Sequence, residues 1–349
     1  SPGVDWSTEG FDNRHSGYNP DEKTLSVDNA ANLHVAWMAD VESWVISQPV
    51  FASGVDVPGR GVIDVVYVGN EQGVLFAFDA RDPLPDGVDR AIWRTQLGKG
   101  VCDSNINGVT GSPVIDRTTN RIYAPSGDNK VYALDLATGE LQPGWPVAVT
   151  DNVELEHIYS ALTLSNGIVY ANTAGACGDE TKVPYKGRIV GIDTTSAQVV
   201  STFVPNGTDG PYGGGIWTPA GVTVSEDGTL YAGIANANGV DPENQGYNHD
   251  IVHLSADLQV IESVDPQLDG FDMAITSAPV LYQPPGCPPL LVAMAKTGEV
   301  FVYNRESLVN PPVDRELVAF NLGIFLGMPA YDPVTNTVFV GNSNASDTY

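Results

Sequence analysis

A unit of alternating apolar residues returns every ~50–60 residues along this chain, and few architectures accommodate such a repeat. Each copy reads as an alternating strand, a turn, a strand bearing Tyr or Phe, and a short apolar strand ending in Asp. The clearest copy runs Gly111-Ser-Pro-Val-Ile-Asp116, Arg121-Ile-Tyr-Ala, then Val131-Tyr-Ala-Leu-Asp135, followed by Ala137-Thr-Gly-Glu140 and Trp145. An earlier copy holds Ser47-Gln-Pro-Val50, Val65-Val-Tyr-Val-Gly69, Leu75-Phe-Ala-Phe-Asp79 and Trp93. Later copies centre on Ile168-Val-Tyr170 with Ile189-Val-Gly-Ile-Asp193, on Leu230-Tyr-Ala-Gly233 with Ile251-Val-His-Leu254, and on Leu290 to Ala293 with Val300-Phe-Val-Tyr303. Gly327 to Asp332 and Val338-Phe-Val-Gly341 begin one more. A twisted four-stranded sheet has two apolar faces to cover, and radial packing of like sheets covers both. The expected fold is therefore all-β, a β-propeller of four-stranded antiparallel blades. The repeated Tyr, Trp and terminal Asp are expected to serve turns and packing between blades, and Glu71-Gln-Gly to be a hairpin turn.

About five and a half blades are present on this count. The strand Leu33-His-Val-Ala-Trp37 stands before the first full unit without three partners of its own, and would close the last blade of a ring. An eight-bladed ring, or failing that a seven-bladed one, is the expectation, with the chain incomplete at its C-terminus. Residues 1–32 are read as an N-terminal extension and 33–349 as the propeller.

The balance of 16 basic against 43 acidic residues, a formal net charge of −27, would repel a phosphate backbone and excludes nucleic acid as a partner. No apolar run is long enough to span a membrane as a helix. The first residues are Ser1 and Pro2, as in a processed protein, so a secreted, periplasmic or cell-surface location is expected. Cys102, Cys177 and Cys287 lie far apart without C-x-x-C spacing, which offers neither zinc nor haem a site. Asn206-Gly-Thr and Asn344-Ala-Ser match the glycosylation acceptor pattern.

The repeat Val131 to Glu140, the segment Ala30-Ala-Asn-Leu-His-Val-Ala-Trp37 and the opening Asp5-Trp6 with Asn13-Arg-His-Ser16 resemble the pyrroloquinoline-quinone (PQQ) type, quinoprotein alcohol dehydrogenase-like propellers. That repeat is shared by catalytic dehydrogenases and by non-catalytic scaffold propellers, so the resemblance implies a fold and leaves activity open. The stretch Gly213-Gly-Gly-Ile-Trp217 resembles the one whose Trp underlies the quinone, and Asn236 matches a calcium ligand. Asp272, after Phe271, resembles the general base that assists hydride transfer, and Lys296 a cation on the quinone's oxygens. Acidic calcium ligands have the candidates Asp179 and Glu180. Two departures oppose catalysis: Cys102 is followed by Asp103 where dehydrogenases carry a second cysteine that closes a ring over the quinone, and Asp103 to Gly108 lacks the expected arginine. Cys102 could instead pair with Cys177 across the funnel mouth. The leading expectation is an exported non-catalytic binding or scaffold protein with a protein or glycan partner. The alternative is a PQQ- and calcium-dependent dehydrogenase acting on an alcohol or sugar.

Overall fold

The computed structural model describes residues 4–101, 108–176, 184–238, 246–268, 274–317, 323–324, 327–341 and 343–344. Every blade expected from the sequence is there as an antiparallel sheet in chain order. Blade 1 comprises Val50–Val57, Gly61–Gly69, Val74–Asp79 and Ala91–Gln96, and blade 2 Val114–Asp116, Arg121–Pro125, Lys130–Asp135 and Val147–Ala148. Blade 3 comprises Thr163–Ser165, Ile168–Gly175, Arg188–Asp193 and Gln198–Phe203, with the short strand Glu156–His157 added at the far end of its second strand. Blade 4 comprises Thr223–Val224, Leu230–Gly233, Ile251–Leu254 and Val260–Val264, and blade 5 Val280–Tyr282, Leu290–Met294, Glu299–Asn304 and Asp314–Leu317. Blade 6 is represented by the pair Ala330–Asp332 and Thr337–Phe339. Among the described residues the one helical turn is the 3-10 turn Ala30–Asn32.

Face-to-face packing of neighbouring sheets explains the residue choices. Strand Val74–Asp79 is buried along its whole length, because blade 2 covers one face and Trp37, Ala39 and Val41 the other, and it accordingly reads as an apolar run ending in Asp. The outer strand Gln198–Phe203 is mostly exposed and mixes polar with apolar residues. Between blades 2 and 3, Val114, Tyr123, Val131 and Ala133 meet Leu162, Val169, Val190 and Ile192 in one core. The repeat residues behave as packing and turn chemistry predicts. Tyr67 Oη and Trp93 Nε1 of blade 1 both donate to the Leu136 carbonyl in a blade 2 turn, at 2.9 and 3.0 Å. In that turn Asp135 Oδ1 accepts from the amides of Ala137 and Thr138, both at 2.9 Å, and Asp193 caps the corresponding turn of blade 3.

Two regions lie outside the blades. Leu33 to Trp37 pairs with no strand among the described residues; the stretch that follows lays Trp37, Ala39 and Val41 on the outward face of blade 1, against Val68, Phe76 and Phe78, with the Arg90 guanidinium 4.3 Å above the Trp37 ring. Residues 5–18 run across the inner, first strands of all the blades and bond to each in turn. Of the two sequons, Asn206 is buried, with Gly210, Gly214 and Gly246 folded against it, which leaves no room for a glycan in the folded protein. The side chain of Asn344 lies outside the described residues. So do Cys102 and Cys177, while Cys287 is an exposed free thiol.

Candidate functional site

In a four-stranded meander the turns joining strands one and two, and three and four, lie at one end of the blade. Links between strands two and three, and from one blade to the next, lie at the other. Trp217 precedes the inner strand of blade 4, whereas Asn236 and Lys296 follow the second strands of blades 4 and 5. All three therefore share the second end, here called the loop mouth. Asp272, Cys102, Asp179 and Glu180 lie outside the described residues.

The backbone that carries Trp217 needs its glycines. Gly213 and Gly214 have φ of 97° and 67°, in the left-handed region, and a Cβ on Gly215 would stand 2.9 Å from the Trp217 indole nitrogen and 3.0 Å from the Tyr185 hydroxyl. The loop is anchored to blade 3: Ile216 N donates to Thr173 O at 3.1 Å, Ser160 Oγ to Ile216 O at 2.9 Å, and Ala161 N to Pro219 O at 2.7 Å. Tyr159, next to Ser160, sets its ring edge-on against the half-buried Trp217, with centroids 5.4 Å apart.

A continuous line of backbone contacts then joins the sequence candidates. Ala235 N donates to Gly215 O at 3.0 Å and Gly214 N to Asn236 O at 2.9 Å. Ala235 is bridged to Ala274, and Lys296 N donates to Ala274 O at 2.9 Å. Trp217, Asn236 and Lys296 thus sit on neighbouring, mutually bonded backbone around the loop mouth. The side chains of Asn236 and Lys296 are half-buried and engaged by neighbours. Ala274, two positions after Asp272, lies in the same line. Among the described residues no three His, Cys, Asp or Glu converge as a metal site, and Asn236 is the sole described member of the expected calcium set.

Sequence reasoning missed several residues of this mouth. Glu71 does occupy a hairpin turn, yet it is buried, and its Oε2 accepts from Gly108 N at 2.9 Å and Thr110 Oγ1 at 3.1 Å. Thr110 Oγ1 in turn lies 2.9 Å from His157 Nε2. Burial pushes the His157 imidazole down to about 4, so it is neutral at ordinary pH. Glu156, almost fully buried, takes Arg188 through two bonds, Nε to Oε2 at 3.0 Å and Nη2 to Oε1 at 2.7 Å. Burial, then the carboxylates of Glu9 and Glu71, push the Tyr159 phenol above its ordinary value. Glu9, from the N-terminal segment, is bonded to the Ser112 hydroxyl, and burial raises its carboxyl. Only the strand-turn-strand pattern around Glu71 was visible beforehand; nothing periodic marks the others.

No protein-family model matches the chain, and no curated protein matches it. Solved structures do. A europium-containing methanol dehydrogenase superposes with a TM-score of 0.77 at 14% identity, over 97% of this chain and 68% of its own. The quinohemoprotein alcohol dehydrogenase ADHIIG from Pseudomonas putida HK5 gives 0.70 at 20% identity, over 97% of this chain and 51% of its own, so this chain spans about half of that protein. BamB from Moraxella catarrhalis aligns at 0.44 with 15% identity, over 88% of this chain and 83% of its own, too loosely to bear on function. Identities this low speak to architecture alone: this chain is a β-propeller that shares its fold with the quinoprotein alcohol dehydrogenases.

Proposed function

We propose that the loop mouth is a cofactor site of the quinoprotein kind, and that the protein is an exported propeller able to bind PQQ with a metal ion and oxidise an alcohol or sugar. The observation that carries this reading is the bonded backbone line from Gly215 through Ala235 and Ala274 to Lys296, which puts Trp217, Asn236 and Lys296 on adjoining loops. The donor types suit the group. Trp217 offers the flat apolar face that a planar tricyclic quinone needs, Lys296 a cation for its carboxylate or carbonyl oxygens, and Asn236 a hard oxygen for calcium or a lanthanide. Bound there, the quinone would supply the hydride acceptor. Asp272 would hold the hydroxyl proton of the substrate as general base. The acidic balance of 16 basic against 43 acidic residues suits a cation-rich exterior.

A second reading, a non-catalytic scaffold for a protein or glycan, is favoured by Tyr159 lying against the Trp217 ring and by the missing cysteine pair. One titration separates the two. PQQ added with calcium or a lanthanide is expected to quench tryptophan fluorescence in the parent protein, and Trp217→Ala to weaken binding about tenfold or more. Asp272→Asn should retain cofactor binding and lose dye-linked alcohol oxidation. Absence of any quenching at saturating PQQ and metal would leave the scaffold reading standing alone.

A further inference from the structure

Residues 5–18 touch every described blade along its inner strand, with only Glu9 reaching toward the loop mouth, where it meets Ser112. Trp6 and Phe51 of blade 1 exchange backbone bonds at 3.0 and 2.8 Å, and Ile115 N of blade 2 donates to Ser7 O at 2.8 Å. Asn13 Nδ2 donates to Leu164 O of blade 3 at 2.8 Å, while Val224 N of blade 4 donates to Asn13 O at 2.8 Å. Leu281 N of blade 5 reaches Arg14 O at 3.2 Å, and Tyr331 N of blade 6 reaches Ser16 O at 2.9 Å. Each partner belongs to an inner strand, whose free edge would otherwise face the channel with unpaired amides. Charge pairs fix the level of the segment: Asp5 lies 3.2 Å from Arg117 Nε and Arg14 3.7 Å from Glu226, both in turns between first and second strands.

The segment is also shaped for this position. Phe11 and His15 adopt φ of 78° and 55°, left-handed conformations that bulky residues take only where surroundings hold them. Asp12 braces the bend, with Oδ1 accepting from Arg14 N and Ser16 N at 3.1 and 3.0 Å. The buried His15 ring sits between the carbonyls of Glu9 and Val222, at 2.9 and 3.1 Å. Beyond it, residues 21–28 are exposed throughout.

We propose that residues 5–18 are an axial clasp, which closes the channel beneath the Trp217 site and locks the inner strands of the blades to one another through contacts strong enough to survive loss of its covalent tether. The inference is independent of what the loop mouth binds. It is tested on the full chain with trypsin. Lys23 and Thr24 are both exposed, and Arg14 is exposed too, but the Arg14 backbone is bonded into blade 5. Cleavage after Lys23 without cleavage after Arg14 is expected, and the 1–23 peptide should elute with the nicked protein on gel filtration in native buffer and leave it in denaturant. Doubling Asp12→Ala with Asn13→Ala should speed cleavage after Arg14, and deuterium exchange at the amides of Ile115, Val224, Leu281 and Tyr331, by about tenfold or more. Release of the 1–23 peptide in native buffer, or equal cleavage of the parent protein after Arg14 and Lys23, would overturn the proposal. Neither of these two readings depends on a variant that folds.

Discussion

Arg188→Met is expected to lower the unfolding free energy by about 3–5 kcal/mol, because it strands a buried carboxylate. Glu156 is 2% exposed and receives the guanidinium through two bonds; the remaining polar contact, from Lys186 N at 3.4 Å, is too long to replace them. The pair joins the strand Glu156–His157 to the start of Arg188–Asp193, so its loss also loosens the loop that continues to Tyr159, whose ring packs against Trp217. Denaturant titration is the measurement, with an earlier midpoint and an unchanged slope as the expected result. Glu156→Gln combined with Arg188→Met removes the charge as well as its partner, and should recover most of the loss. A single variant as stable as the parent would mean that water reaches Glu156.

His157 is expected to make stability depend on pH below neutrality. Its folded value is held at about 4 against an ordinary 6.5, so between these values the unfolded chain binds the proton that the folded protein refuses. Stability is therefore complete above about 6.5 and falls as pH drops to about 4, by up to about 3 kcal/mol. Asp250 works in the opposite sense: burial pushes it up to about 6 from 3.8, so its contribution falls as pH rises through that window. The two slopes partly cancel in the parent protein. His157→Gln, whose amide can still reach Thr110, isolates the first. Its stability should decline less than the parent's between pH ~6.5 and ~4, and parallel curves would show that the imidazole is hydrated in the folded state.

The blades were legible because each repeats the same order of apolar strands and turns, and that periodicity survives without knowledge of the third dimension. Tyr67, Trp93 and Asp135 were correctly read as packing and turn residues on the same ground. Trp217, Asn236 and Lys296 could be named from local motifs, and they lie at the same end of their blades because links and second-to-third-strand loops share that end. Glu71, His157 and the Glu156–Arg188 pair escaped notice because a loop residue carries no period, and its burial depends on a blade encoded tens of residues away. The N-terminal segment is the extreme case. Asp5-Trp6 and Asn13-Arg-His-Ser16 stood out as a resemblance, yet their partners include Leu164 and Val222, 151 and 207 residues distant. Local pattern, read along the chain, determined the repeat, its strands and its turns. Only the packing of those repeats side by side decided which polar groups would be sealed from water, and which stretch of chain would satisfy the inner edges.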